Sequence, residues 1–158
     1  MNKNVVFTLI ALAGLTVVPW VHAAEADVKG STELRSFFQG YLAESKGEVP
    51  SLKVPAVWLF SPEGQLVARV DDPQGVAALS DTLGKPATSI SAVDLSRIVG
   101  ILDKQGVQVP AAAPEQWTAL LISRAPCVEV CQTFHKEVDE LHKKQAVRLR
   151  VVDLSLTL

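Results

Sequence analysis

The chain has 158 residues, a formal net charge of −2 and two cysteines, and hydrophobic residues make up 48% of it. A chain of this length can bury a hydrophobic core as one domain without the help of crosslinks. The slight acidity, together with the lack of a cluster of basic residues in the sequence, excludes a typical nucleic-acid-binding surface, so we expect no nucleic-acid partner.

The first 23 residues have the layout of a secretory signal peptide. Lys3 precedes an apolar run, Val5 to Val18, which is short for a membrane span, and Ala23 suits a small-residue cleavage site. We therefore predict a signal peptide at residues 1–23 and an exported single domain at residues 24–158, periplasmic or secreted and without a membrane span. An uncleaved N-terminal anchor is the alternative. An exported chain enters an oxidising compartment, where an even number of cysteines can pair as disulfides.

The front of this domain is predicted to contain a helix, a β-hairpin and a second helix. Ser31 to Lys46 begins with a Ser-Thr cap and carries apolar residues at helical spacing, which predicts a helix. Two apolar runs, Ala56 to Phe60 and Gln65 to Val70, flank a Ser-Pro-Glu-Gly turn and predict the hairpin. A short helix is expected from about Gln74 to Leu83, because Pro73 lies near its start.

The rear of the domain alternates between helices and strands. A capping-box pattern opens a predicted helix from Ser91 to Gln105. Trp117 to Ile122 is expected to be a fully buried strand, Pro126 to Gln145 the longest helix, and Ala146 to Leu158 a strand of parallel-sheet character. These last three elements form a βαβ unit, whose crossover should be right-handed.

Both cysteines lie at the start of the predicted long helix. If the helix begins at Pro126 and Ser123 caps it, Cys127 lies among the free amide groups of the first turn, which favour a thiolate. Cys131 follows one turn later, about 6 Å away between Cα atoms, which a disulfide can bridge. This spacing fits attack by Cys127 on a substrate disulfide and resolution by Cys131. It also fits an inert structural disulfide or a reduced buried pair.

Two parts of the chain resemble the thioredoxin superfamily. Residues 115–155, a strand leading to cysteines at a helix start and then a parallel strand, are similar to the family's opening half. Residues 31–84, with a Val-Pro dipeptide before a strand, a Gly turn and an antiparallel strand, are similar to its closing half. The two halves are in swapped order, which circular permutation explains when chain ends lie close together.

The resemblance implies an α/β fold, namely a thioredoxin-like three-layer α/β/α arrangement with a four-stranded mixed sheet and permuted halves. Residues 31–84 would form the hairpin half, residues 85–114 a connecting linker and helix, and residues 115–158 the cysteine half. The expected strand order is second hairpin strand, first hairpin strand, Trp117 strand and C-terminal strand. A novel α/β arrangement or two half-domains in tandem are the alternatives.

The resemblance also implies thiol–disulfide exchange with a protein substrate and without a cofactor. Cys127 would be the nucleophile and Cys131 the resolving thiol. In the family the Val-Pro bond is cis and faces the cysteines, which nominates Pro55 to shape the substrate groove. The chain has three residues between its cysteines where thioredoxins have two, so the family's redox potential does not carry over. A non-catalytic envelope binding or assembly module with a structural disulfide is an alternative function.

The Cys-x-x-x-Cys pair is also similar to that of the Sco group of copper-handling proteins. Thiolates select Cu(I), and the candidate metal ligands are Cys127, Cys131 and His135, as a two-coordinate Cys127/Cys131 site or as a Cys131/His135 pair. On an unbroken helix, Cys127 and His135 are about 12 Å apart, which is far for one site. Copper handling is therefore the second functional hypothesis, and we expect His135 and His142 on a solvated helix flank.

The remaining polar and aromatic candidates are predicted to be structural. Asp71 and Asp72 follow the hairpin, where they end the strand before a proline. Trp58 and Phe60 are expected in the core. Glu129 should face solvent.

Overall fold

The structure, a computed structural model, describes residues 26–48 and 52–158. The predicted signal peptide, residues 1–23, lies outside the described residues. Within the two described ranges, no helix has both the length and the apolar character needed to cross a membrane.

The described part of the chain forms one mixed sheet and four helices. The elements are β1 (Val28–Glu33), α1 (Leu34–Glu44), β2 (Ala56–Phe60), β3 (Leu66–Val70), α2 (Pro73–Ala78), α3 (Leu95–Asp103), β4 (Trp117–Arg124), α4 (Glu129–Gln145) and β5 (Leu149–Thr157). A 3-10 turn, Leu79–Asp81, continues α2. The predicted α/β class is confirmed.

The sheet has five strands in the order β1-β5-β4-β2-β3. β1, β5 and β4 are parallel to one another, and β2 is antiparallel to both β4 and β3. The predicted order of four strands is confirmed, but the strand count is wrong because β1 adds a fifth strand at the β5 edge. Ser31 and Thr32, which we expected to cap a helix, belong to this edge strand, and α1 begins at Leu34.

Helices cover both faces of the sheet. Because side chains alternate along a strand, the buried residues form two hydrophobic clusters, one on each face. The cluster under α1 and α3 contains Phe37, Tyr41, Trp58, Phe60, Ile98 and Leu102. The cluster under α2 and α4 contains Val57, Leu59, Val76, Phe134, Val138 and Leu141. Trp58 and Phe60 are therefore core residues, as predicted.

Aspartates fix the starts of two helices. Asp72 accepts a hydrogen bond from the Gly75 amide at 2.8 Å and caps α2. Asp94 accepts one from the Arg97 amide at 3.0 Å and caps α3, which is why that helix begins later than Ser91. Asp71, the other member of the acidic pair, forms an ion pair with Lys53. Asp71 and Asp72 thus have structural contacts, as predicted.

Asp27 attaches the start of the edge strand β1 to the rest of the fold. Its carboxylate accepts a hydrogen bond from the Val151 amide at 2.7 Å and lies 3.2 Å from His142 Nε2. The expectation that His142 is solvated is wrong, because its side chain is only 7% exposed. Its acidic partner, Asp27, directly precedes the fifth strand, which was not predicted from the sequence.

We expect Asp27→Ala to lower the free energy of unfolding by about 1–3 kcal/mol, because the buried groups on Val151 and His142 lose their acceptor. Urea unfolding followed by circular dichroism measures this loss. Asp103→Ala, at an exposed aspartate near the end of α3, is the matched control. Equal losses in the two variants would contradict an anchoring role for Asp27.

Candidate functional site

The cysteines lie where the chain leaves β4 and enters α4. β4 ends at Arg124, and α4 begins only at Glu129, after an extended N-cap residue, Val128. The predicted helix start at Pro126 is therefore wrong. So is the predicted cap, since Ser123 is a buried residue of β4 and, within the described residues, the start of α4 has no side-chain cap.

Cys127 and Cys131 are joined by a disulfide, with their Cα atoms 5.4 Å apart. Cys127 lies just before α4 and is exposed, whereas Cys131 belongs to the first turn of α4 and is 3% exposed. The first α4 amide to bond a backbone carbonyl is that of Gln132, which donates to Val128. Cys127 thus lies at the amino-terminal end of α4, where the free amide groups favour a thiolate once the disulfide is reduced.

His135 follows one turn after Cys131 and completes a compact group of three side chains. The potential ligand atoms of Cys127, Cys131 and His135 lie within 4.8 Å of one another. The expectation that His135 lies too far from Cys127 for one site, which assumed about 12 Å along an unbroken helix, is therefore wrong. Cys127 precedes the helix, and its disulfide with Cys131 brings its sulfur near His135.

Asp153 of β5 lies behind this group. Its carboxylate is 3.6 Å from His135 Nδ1, and its side chain is 17% exposed. Burial raises the pKa of the Asp153 carboxyl above its usual range, although the charges of His135 and Lys29 act in the opposite direction. Asp153 was not among the site residues predicted from the sequence. The signal was a single acidic residue inside an otherwise apolar stretch of the C-terminal strand.

Pro55 lies at the same end of the sheet as the cysteines. Ala56 pairs with Ile122 in the antiparallel β2–β4 ladder, so Pro55 comes level with the last residues of β4, which lead directly to Cys127. The Val54–Pro55 peptide bond is cis, and so is Ala125–Pro126. The structure thus brings all three predicted site residues to the same end of the sheet.

Comparison of the chain with protein-family models, with curated proteins and with solved structures gives no match. The resemblances to the thioredoxin superfamily and to the Sco group therefore stay predictions. What the geometry supplies is a disulfide between a more exposed and a buried cysteine at a helix start, beside an imidazole and a carboxylate.

Proposed function

We propose that the protein carries out thiol–disulfide exchange with a protein substrate. The observation that supports this most is the unequal exposure of the two cysteines, since Cys127 is an exposed residue and Cys131 is 3% exposed. Exchange needs one sulfur that a substrate can reach and a second that only the first can reach. Cys127 has the position of an attacking cysteine, and Cys131 has the position of a resolving cysteine.

In the reducing direction, the Cys127 thiolate attacks a substrate disulfide. A mixed disulfide forms between Cys127 and one substrate sulfur, and the other substrate sulfur leaves as a thiolate and takes a proton from water. The Cys131 thiolate then attacks the Cys127 sulfur, which restores the intramolecular disulfide and releases the second substrate thiol. Two electrons pass from the cysteine pair to the substrate, and a dithiol partner resupplies them in the reverse reaction.

Each site residue has a separate task in this reaction. The start of α4 stabilises the Cys127 thiolate through its free amide groups. The burial of Cys131 prevents it from competing for the substrate, and the short distance between the two Cα atoms makes resolution intramolecular. Pro55 would border the groove in which the substrate chain lies, at the same sheet end.

Equilibration in glutathione buffers of graded potential tests the proposal. We expect a two-electron transition between about −270 and −120 mV, the range of proteins that exchange disulfides. A variant with both Cys127→Ser and Cys131→Ser supplies the baseline without a transition. A midpoint below about −300 mV would mark a structural disulfide and contradict exchange.

Cu(I) handling is a second candidate, favoured by the group of three ligand atoms within 4.8 Å. Two thiolates and an imidazole are a donor set that suits Cu(I), and the Asp153 carboxylate lies 3.6 Å from His135 Nδ1, where it would help to orient the imidazole. The reduced chain therefore fits such an ion chemically. Cu(I) would be cargo held by Cys127, Cys131 and His135.

Competition between the reduced protein and a Cu(I) chelator tests this candidate. We expect His135→Ala to weaken Cu(I) binding at least about tenfold, because one of three ligands is lost. Gln132→Ala, at an exposed neighbouring residue, is the control and should bind like the wild type. Equal Cu(I) affinity in the wild type and in His135→Ala would show that His135 is not a ligand and would contradict the three-ligand site.

A further inference from the structure

Two exposed valines lie between the cysteines. Val128 is 64% and Val130 53% exposed, and neither belongs to the two hydrophobic clusters of the described residues. Their apolar side chains therefore contribute little to the core, although they flank the sulfur that a substrate must reach. Exposed apolar residues grouped around a site are typical of a surface that binds another chain.

An apolar hollow opens at the same end of the sheet, on the other side of β5. Its volume is about 430 Å³, and its apolar lining comes from Leu34, Phe38, Leu52 and the 80% exposed Leu158. The Ala125 amide donates to the Leu156 carbonyl at 2.9 Å, which holds the segment before Cys127 against the end of β5. The hollow and Cys127 therefore lie at the same end of the sheet, the hollow beside α1 and Cys127 at the start of α4, which covers the other face.

The charges around these residues cancel. Glu33 and Arg35 border the hollow, and the exposed Arg124 and Glu129 border the cysteines, so each border carries one acidic and one basic residue. Such a border does not select a strongly charged partner. It is complementary to a neutral segment that carries apolar side chains.

We propose that the protein recognises extended, neutral polypeptide segments in which apolar residues flank the cysteine of a disulfide. We call the binding surface the apolar rim, and it consists of Leu34, Phe38, Leu52, Val128, Val130 and Leu158. An extended segment lying across the end of the sheet places its sulfur at Cys127 and its apolar side chains on the valines and in the hollow. The inference rests on the proposed exchange reaction, because that reaction requires a disulfide-bearing partner at Cys127.

Matched peptide disulfides test this recognition. Two peptides of equal length carry the same disulfide, flanked by leucines in one and by serines in the other. We expect the reduced wild type to show a kcat/KM roughly tenfold higher for the leucine peptide, since each buried methylene contributes about a fourfold preference. The triple variant Val128→Thr, Val130→Thr and Leu158→Ser should reduce this preference to below about twofold.

Val147→Thr is the control, because Val147 is 93% exposed at the opposite end of the sheet and should keep the full preference. A wild type without a leucine preference, or a preference that survives in the triple variant, would overturn the proposal. Sedimentation of the unliganded protein adds a second test. A dimer of the wild type that the triple variant dissociates would place a second copy on the rim and would also overturn the proposal.

A binding measurement separates this inference from the exchange reaction. A fluorescent, cysteine-free leucine peptide should bind the oxidised wild type, and the triple variant should weaken that binding about tenfold in fluorescence anisotropy. If no disulfide is exchanged but the peptide binds in this way, the proposed function fails and the rim stands. If small disulfides are exchanged but the peptide does not bind, the rim alone fails.

Discussion

Cys127→Ser is expected to slow reduction of a peptide disulfide more than about a thousandfold, because serine cannot supply the attacking thiolate. Cys131→Ser should behave differently. Its Cys127 still attacks the substrate, but the buried resolving sulfur is missing, so a mixed disulfide with the substrate accumulates. A fluorogenic peptide disulfide measures the rate, and intact mass spectrometry detects the trapped adduct.

Gln132→Ala is the control for both cysteine variants, because Gln132 is an exposed residue of the same first turn and takes no part in the chemistry. It should exchange disulfides at the wild-type rate. Exchange that persists in Cys127→Ser, or a mixed adduct at Cys131 instead of Cys127, would contradict the assigned order of attack and resolution.

Phe134→Ala is expected to lower the free energy of unfolding by about 3–5 kcal/mol. Phe134 is fully buried under α4, three residues after Cys131, and its removal leaves a cavity between the helix and the sheet. The same helix carries Cys131 and His135, so a loosened helix should also expose the resolving sulfur of the reduced protein to alkylation. Denaturant unfolding measures the first effect, and mass mapping of the labelled thiols measures the second.

Lys136→Ala, at an exposed position of α4, is the matched control and should change stability by less than about 0.5 kcal/mol. If Phe134→Ala lost less than about 1 kcal/mol of unfolding free energy, the neighbouring side chains would have filled the cavity. The packing of α4 on the sheet would then not be what positions Cys131.

The elements with long apolar patterns could be predicted from the sequence. β2, β3, β4 and β5 were each signalled by an apolar run, whereas their order in the sheet was expected only from the resemblance to the thioredoxin superfamily. α4 was signalled by an apolar stripe that contains Cys131, Phe134 and Val138, all three buried in the structure. The spacing of apolar residues along the chain shows both the type of an element and the side of it that is buried, so such elements can be predicted from the sequence.

The edge strand and the start of α4 could not be predicted in the same way. β1 has a mixed pattern, and only its pairing with β5, more than a hundred residues later, makes it a strand. Pro126 suits the first position of a helix, yet the chain bends at Ala125 and Pro126, and the helix begins only after the extended Val128. That local difference brings Cys127 close to His135.

Asp153 and His142 also depend on the fold, because their partners are distant in sequence. His135 meets Asp153 across the contact between α4 and β5, and His142 meets Asp27 at the start of β1. Neither pair has a short sequence motif. Placing them requires knowledge of which strand lies beneath which turn of the helix.

The alkylation rate of each cysteine in the reduced, folded protein tests most directly whether Cys127 attacks and Cys131 resolves. Mass mapping at neutral pH resolves the two rates. If Cys127 is the attacking thiolate and Cys131 the shielded partner, Cys127 should react at least about tenfold faster than Cys131. Equal rates at both sulfurs, or labelling only after unfolding, would contradict thiol–disulfide exchange and leave a structural crosslink.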